Sequence, residues 1–142
     1  DMKEQMQTLT KPGQQIVYAH KGSQNLVNLD KQLLRNICIN LIGNAIKYSP
    51  EGKSIEFTTS VNSEVKISVK DSGIGIPEID KQHMFERFFR AHNVTAIQGT
   101  GLGLNIVNRY VKLMKGKMEF TSKENAGSEF IVRFNIQNTT NQ

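Results

Sequence analysis

At 142 residues with 37% hydrophobic content, the chain is long enough to bury a core and too short for two ordinary domains. Its net charge of +5 comes from 18 Lys and Arg scattered without like-charge runs or interleaved aromatics. That pattern gives no nucleic-acid groove and leaves the charge as weak evidence for a membrane surface or a polyanionic small ligand. A single cysteine, Cys38, excludes a disulfide framework and zinc-type spacing, and no apolar run reaches the roughly 18 residues of a spanning helix.

Residues 1–14 are polar with scattered Met and Leu, and are expected to be a linker or the end of an upstream helical domain. Gln15 to His20 and Asn25 to Leu29 read as short strands around a turn at Lys21, Gly22 and Ser23. From Asp30 to Pro50 the pattern is helical, with an Asp suited to cap the start and a Pro that stops it. Leu34, Ile37, Leu41 and Ala45 fall on one apolar face, and Asn36, Asn40, Asn44 and Lys47 form a polar stripe beside it. Glu and Lys would be the usual choice for a solvated face. Three amides, weaker helix formers, leave two readings open: a plain surface stripe, or amide groups with a ligand to bind.

After a turn at Glu51 and Gly52, Ser54 to Val61 reads as a strand with Ile55, Phe57 and Thr59 on one side. A hairpin at Asn62 and Ser63 leads to Glu64 to Lys70, where Val65, Ile67 and Val69 alternate with Lys66, Ser68 and Lys70. One wet face and one helix-covered face give a two-layer α/β sandwich of the α+β class. Asp71 to Pro77, DSGIGIP, is a glycine turn in which Pro77 can start a helical turn. Phe85 to Thr100 begins with aromatics and continues as a long polar loop, a length that in a compact domain usually signals function or mobility. Gly101 to Lys115 reads as a second helix, with Leu104, Val107, Val111 and Met114 at helical spacing and Gly116 ending it. Two strands follow, Lys117 to Ser122 and Ser128 to Ile136, joined by a turn at Glu124 to Gly127, and residues 137–142 are expected to be disordered.

The glycines Gly99, Gly101 and Gly103 do not make a dinucleotide fingerprint, which requires a preceding strand and a third glycine at Leu104 or Ile106. They make a glycine-rich loop at a helix start, where unpaired amides and the helix dipole favour phosphate. A nucleotide polyphosphate suits that loop, with Lys47 adding positive charge.

In order and spacing, NLIGNAIKYSP, DSGIGIP, FERFFR, GTGLGL and AGSEF closely resemble the catalytic ATP-binding domain of bacterial two-component sensor histidine kinases. The resemblance covers about Asn25 to Phe134 and places the catalytic domain at residues 15–136. It implies the Bergerat-type ATP-binding fold shared with gyrase B, MutL and heat-shock chaperones, a mixed sheet of about five strands backed by three helices. It implies ATP and Mg²⁺ as cofactors, with the metal on Asn44 and Asn40, Lys47 at the phosphates and Tyr48 against the base. Asp71 is the implied acceptor for the adenine amino group. Gly73 and Gly75 would let the backbone approach the base, Ile76 would wall the pocket, and Ser128 stands where the family usually has Thr. Gly99, Thr100, Gly101, Leu102, Gly103 and Leu104 would serve the phosphates beneath a lid, and Arg90 would reach the γ-phosphate.

Phe85, Phe88 and Phe89 either pin the lid to the core or, as the resemblance implies, dock the histidine-bearing dimerisation domain. His20, His83 and His92 lie in no phosphoacceptor context. Hydrolytic relatives place a Glu four residues before the magnesium Asn, where this chain has Asn40, and an amide is no general base. Transfer to a protein histidine is therefore expected, with a response regulator as indirect partner. The alternatives are a nucleotide-binding regulatory module without transfer and a hydrolytic ATPase. The resemblance further implies a monomeric, cytoplasmic domain of a membrane-anchored parent.

Overall fold

A computed structural model describes residues 6–22, 30–83 and 103–135. The elements are β1 (Gln15–Gly22), α1 (Lys31–Tyr48), β2 (Ser54–Val61), β3 (Glu64–Asp71), a 3₁₀ turn (Glu78–His83), α2 (Gly103–Leu113), β4 (Lys117–Lys123) and β5 (Gly127–Asn135). They form a five-stranded sheet in the order β1-β2-β3-β5-β4, in which β1 and β2 run parallel and the other pairs antiparallel. The helices α1 and α2 and the 3₁₀ turn accompany this mixed sheet, the α+β class expected. The strand expected at Asn25 to Leu29, the loop from Phe85 to Thr100 and residues 137–142 lie outside the described residues.

Why α1 forms is legible at both ends. Asp30 Oδ1 accepts from Gln32 N–H at 2.9 Å and Leu33 N–H at 3.1 Å, satisfying donors that the first turn leaves open. Ser49 closes the other end, its N–H donating to Ala45 O, and Pro50 follows. Ile37, Leu41, Ile42, Ala45 and Ile46 pack onto Ile55, Phe57, Val65, Ile67 and Val69 of the sheet, and Val107 and Val111 of α2 join the same core. Cys38 is buried there, and burial pushes its thiol up to about 12.

Cross-strand register turns the period-2 pattern into layers. On the helix-facing side, Val69, Phe130 and Phe120 form one row, and Ile67, Val132 and Met118 the next. The Phe120 and Phe130 rings stack with centroids 5.5 Å apart. The outermost row at one end is polar: Asp71, Ser128 and Ser122 stand opposite one another on β3, β5 and β4. On the other side, Arg133 bridges Glu64 at 2.6 Å and Glu119 at 2.8 Å. Ser68 lies on that wet side yet is buried, because it is short, sits between Thr58 and Ile131 on the central strand, and donates to Glu129 Oε2 at 2.6 Å.

Gly116 was expected to end α2, but the left-handed residue is Lys115, with φ 60. Lys115 N–H donates to Lys112 O at 3.0 Å and Gly116 N–H to Val111 O at 2.9 Å, the paired bonds of a Schellman motif. Gly116 is required for a different reason. A Cβ there would lie 2.5 Å from Phe134 Cδ1 and 2.6 Å from Arg133 O.

Where it is described, the segment expected as a linker or the end of an upstream helical domain is helical at Met6 and Gln7 and packs onto the domain. Met6 joins the core. The buried Gln14 Nε2 meets the carbonyls of Ile46, Ser49 and Pro50 at 3.3, 2.9 and 3.2 Å, and Lys11 Nζ donates to Lys47 O and Ser49 O, both at 2.8 Å. These two side chains cap the last turn of α1, whose carbonyls no helical N–H can reach. Removing one partner of a buried hydrogen bond strands the other, so Gln14→Ala should cost about 2 kcal/mol of unfolding free energy, measured by urea denaturation. A change below about 0.5 kcal/mol would contradict the capping role.

Candidate functional site

The helix α1 carries Asn40, Asn44 and Lys47 at spacings of four and three residues, which place them along one side. Asn40 and Asn44 are half-buried and Lys47 is exposed. Asn40 Nδ2 donates back to Asn36 O at 2.8 Å, so its amide nitrogen is occupied and its oxygen is left as an acceptor. Asn44 makes no side-chain hydrogen bond among the described residues. No cluster of His, Cys, Asp or Glu among the described residues could hold a metal. Two uncharged amide oxygens do fit Mg²⁺, which prefers oxygen and takes most of its ligands from water and phosphate.

At the end of α1, Tyr48 is half-buried, and its carbonyl accepts from Ile74 N–H at 3.2 Å. This bond brings the DSGIGIP loop against the helix. Asp71, 8% exposed, ends β3, and its Oδ1 accepts from Gly73 N–H at 2.8 Å and Ser128 N–H at 3.2 Å. Burial raises the Asp71 carboxyl above its ordinary value, and the two backbone bonds oppose that rise without cancelling it. Both bonds end on Oδ1, and among the described residues none reaches Oδ2. The carboxylate is therefore held in one orientation with one oxygen left over.

Gly73 and Gly75 have neighbours within the protein itself. A Cβ on Gly73 would lie 2.2 Å from Tyr48 O, and one on Gly75, where φ is +70, would lie 2.0 Å from Lys123 O. Asn125 N–H donates to Ile74 O at 2.6 Å and Ile76 N–H to Ser122 Oγ at 2.8 Å. Gly127, at φ +93, brings its Cα against Asp71 O, where a Cβ would come within 2.2 Å. The loop is thus clamped between the end of α1 and the β4–β5 turn, and Ile76 is buried in the core below it. Pro77 starts a helical turn as expected, its carbonyl accepting from Asp80 N–H at 2.9 Å.

The clamp brings Tyr48, Asp71, Gly73, Gly75, Ile76 and Ser128 together at one end of α1, the helix that also carries Asn40, Asn44 and Lys47. Gly103 and Leu104 open α2, and Leu104 packs against the core, so the first-turn amides of α2 belong to a helix seated on α1. Gly99, Thr100, Gly101, Leu102, Arg90, Phe85, Phe88 and Phe89 lie outside the described residues, as does His92. His20 is a strand residue bonded to Thr59 Oγ1 at 2.6 Å, and His83 ends the 3₁₀ turn. The sequence reading missed Ser122, Lys11 and Gln14. Only Ser122 left a signal, in the alternation of Met118, Phe120 and Ser122 that puts a hydroxyl on the apolar side of a strand.

Residues 29–138 match the family model described as "Histidine kinase-, DNA gyrase B-, and HSP90-like ATPase". The chain is 40% identical over 107 residues to the sensor histidine kinase WalK of Bacillus subtilis, covering 72% of this chain and 18% of that protein. Among solved structures it is similar to the catalytic domain of the histidine kinase ThkA, with TM-score 0.69, 32% identity, 85% of this chain and 79% of that one. It is also similar to full-length ShkA in complex with AMPPNP, with TM-score 0.77, 28% identity, 94% of this chain and 29% of that one. The chain spans less than a third of the length of the curated relatives it matches. No helix among the described residues is long and apolar enough to cross a membrane.

Proposed function

The chain belongs to the histidine kinase-, DNA gyrase B-, and HSP90-like ATPase family, and from that premise we propose that it binds Mg·ATP and donates the γ-phosphoryl group to a histidine on a separate dimerisation domain of the same kinase. The observation that carries this proposal is Asp71. Its Oδ1 is saturated by two backbone N–H groups, and Oδ2 is held ready for a donor such as the adenine 6-amino group. Its relative ShkA has been solved with AMPPNP, an ATP analogue, which supports the same ligand class here.

Each site residue then has a role. Tyr48 lies against the base, Ile76 walls the pocket, and Ser128 contributes a hydroxyl through water. Gly73 and Gly75 hold Asp71 in place by letting the loop close on α1 and the β4–β5 turn. Lys47 reaches the phosphates, and residues 99–104, including Thr100, give backbone amides to them. Asn44 and Asn40 would hold Mg²⁺ through their amide oxygens, and the ion, when bound, neutralises phosphate charge. Arg90 reaches the γ-phosphate, and Phe85, Phe88 and Phe89 dock the acceptor domain. Phosphoryl transfer is largely positioning and charge neutralisation, which this set provides.

Asn40 separates transfer from hydrolysis. An amide cannot take a proton from water, so ATP turnover by the isolated chain should be slow, with the nucleophile supplied by the acceptor domain. A response regulator would receive the phosphoryl group afterwards, and the domain itself acts as a monomer in a cytoplasmic setting. The test is to mix the chain with the parent kinase's acceptor domain and labelled ATP. Acid-labile label on a histidine is the expected result. Tight ATP binding with no label would point to a silent module, and sustained phosphate release by the chain alone to an ATPase.

A further inference from the structure

Cations that lie scattered along the sequence are gathered by the fold at the end of the sheet opposite the Asp71, Ser128 and Ser122 row. Register places Lys21, Ser60, Lys66, Arg133 and Lys117 side by side across all five strands, on the wet face. Along β3 this row lies five residues from Asp71, roughly 17 Å. The helix α2 ends at the same place, because Gly116, just before Lys117, packs against Arg133 O and Phe134, and its last turn adds Lys112 and Lys115 to the group. Like charges directly opposite one another repel. Only Arg133 is relieved, by Glu64 and Glu119 together. The five lysines make no ion pair among the described residues, and all but the half-buried Lys66 are exposed. Six cations against two acids give this group +4 of the chain's net +5, so the remainder of the chain is nearly neutral. Leu113, between Lys112 and Lys115, is 71% exposed, more than any other large hydrophobic among the described residues.

We propose that this end of the domain docks on an anionic lipid surface, with Leu113 entering the headgroup boundary and the lysines around it facing the lipid phosphates. Near such a surface each lysine strengthens binding about fivefold. An exposed leucine among lysines adds the apolar insertion that a charge patch alone lacks. The cation chemistry favours lipid over a protein partner. The unpaired cations are all lysines, compact charges on flexible stems that suit a fluid array of headgroups, whereas protein interfaces are enriched in arginine and depleted in lysine. The one arginine in the row has its guanidinium committed to two carboxylates of the same chain. No aromatic stands in the row or between Lys112 and Lys117 on which a nucleic-acid base could stack. Docking here leaves the Asp71 row at the far end of the sheet, so the lipid does not obstruct it.

The test is sedimentation of the chain with vesicles of phosphatidylcholine, alone or mixed with phosphatidylglycerol, at several salt concentrations, with thermal unfolding of each variant followed alongside. Binding is expected to the mixed vesicles only, and it should weaken as salt rises. Removing three lysines together, by Lys112→Gln, Lys115→Gly and Lys117→Gln, should reduce it about a hundredfold, and Leu113→Ser alone about tenfold. Lys115→Gly also relieves the left-handed backbone at φ 60, so the triple variant keeps its fold. A second triple variant, Lys53→Gln, Lys70→Gln and Lys81→Gln, has the same net charge with the patch left whole, and should lose less than about threefold. Equal losses in the two triple variants, equal binding to neutral and mixed vesicles, unchanged binding by Leu113→Ser, or no binding to either vesicle would overturn the proposal. Retention of the chain on immobilised polyglutamate without vesicle binding would assign the patch to an acidic protein surface, and would overturn it as well.

Discussion

Asp71→Asn should weaken ATP binding tenfold to a hundredfold while leaving the fold intact. The two backbone donors, Gly73 N–H and Ser128 N–H, both point at Oδ1. They require an oxygen there, so the substituted amide must place its nitrogen where Oδ2 was. An NH₂ group then faces the donor amino group of adenine, and a bond to a charged acceptor worth roughly 1.5 to 3 kcal/mol is lost, which corresponds to the stated range. Stability should move the other way. A carboxyl whose pKa is raised on folding holds its proton more tightly in the native state. Native stability therefore falls as pH rises from the ordinary carboxylate value through the raised one. A neutral amide has no such step, so the variant should be at least as stable as the parent at neutral pH, and its stability should lack the parent's decline across that window. Calorimetry and thermal unfolding at several pH values read both effects. Unchanged ATP affinity would refute the assignment.

Gly75→Ala should remove on the order of 3 kcal/mol of stability, through left-handed strain and overpacking together. Its φ of +70 is strained for any L side chain, and its Cβ would lie 2.0 Å from Lys123 O, backbone that cannot swing aside. Relief requires the β4–β5 turn to back away from the Asp71 loop, which also loosens Ser128 N–H from Asp71, so ATP affinity should fall with stability. Gly43→Ala is the internal control. A Cβ there meets nothing within 4 Å, and the residue lies inside α1, where Ala is favoured over Gly by about 1 kcal/mol. Urea denaturation of the two variants should shift in opposite directions. A parallel shift would show that the clamp does not depend on close backbone approach.

The contrast between those glycines marks how far the sequence could be read. α1 was legible because its signals are local: a capping Asp, a 3.6-residue apolar period and a proline after the last turn. The bounds of β2 were readable for the same reason, and β3 runs one residue past its expected end because Asp71 still pairs with Ser128. Strand pairing was legible only where a tight turn joins neighbours, as at Asn62 and Ser63 between β2 and β3. Nothing in Gln15–Gly22 indicates that it runs parallel to β2, since alternation names a face and not a partner. Gln14 is a long-range case too, a polar residue before a strand whose meaning lies in carbonyls more than thirty positions away. The resemblance to a family supplied the candidate site, and the structure supplied the reason that Gly73 and Gly75 must be glycines, which lies in contacts with Tyr48 and Lys123. Lys115 in the left-handed position was unreadable because Gly116, one residue on, is the ordinary occupant of such a place.

The buried Cys38 makes the molecule a reporter of its own opening. Alkylating and disulfide reagents react with the thiolate, and a thiol held at about 12 inside the core offers them almost none and no access. Labelling must therefore wait for α1 to part from the sheet, and with a single cysteine in the chain every labelling event counts one such opening. A ligand that binds only the closed form slows the count by one plus the ratio of its concentration to its dissociation constant. A clock of thiol reactivity can thus read nucleotide affinity with no label on the nucleotide and no change to the chain.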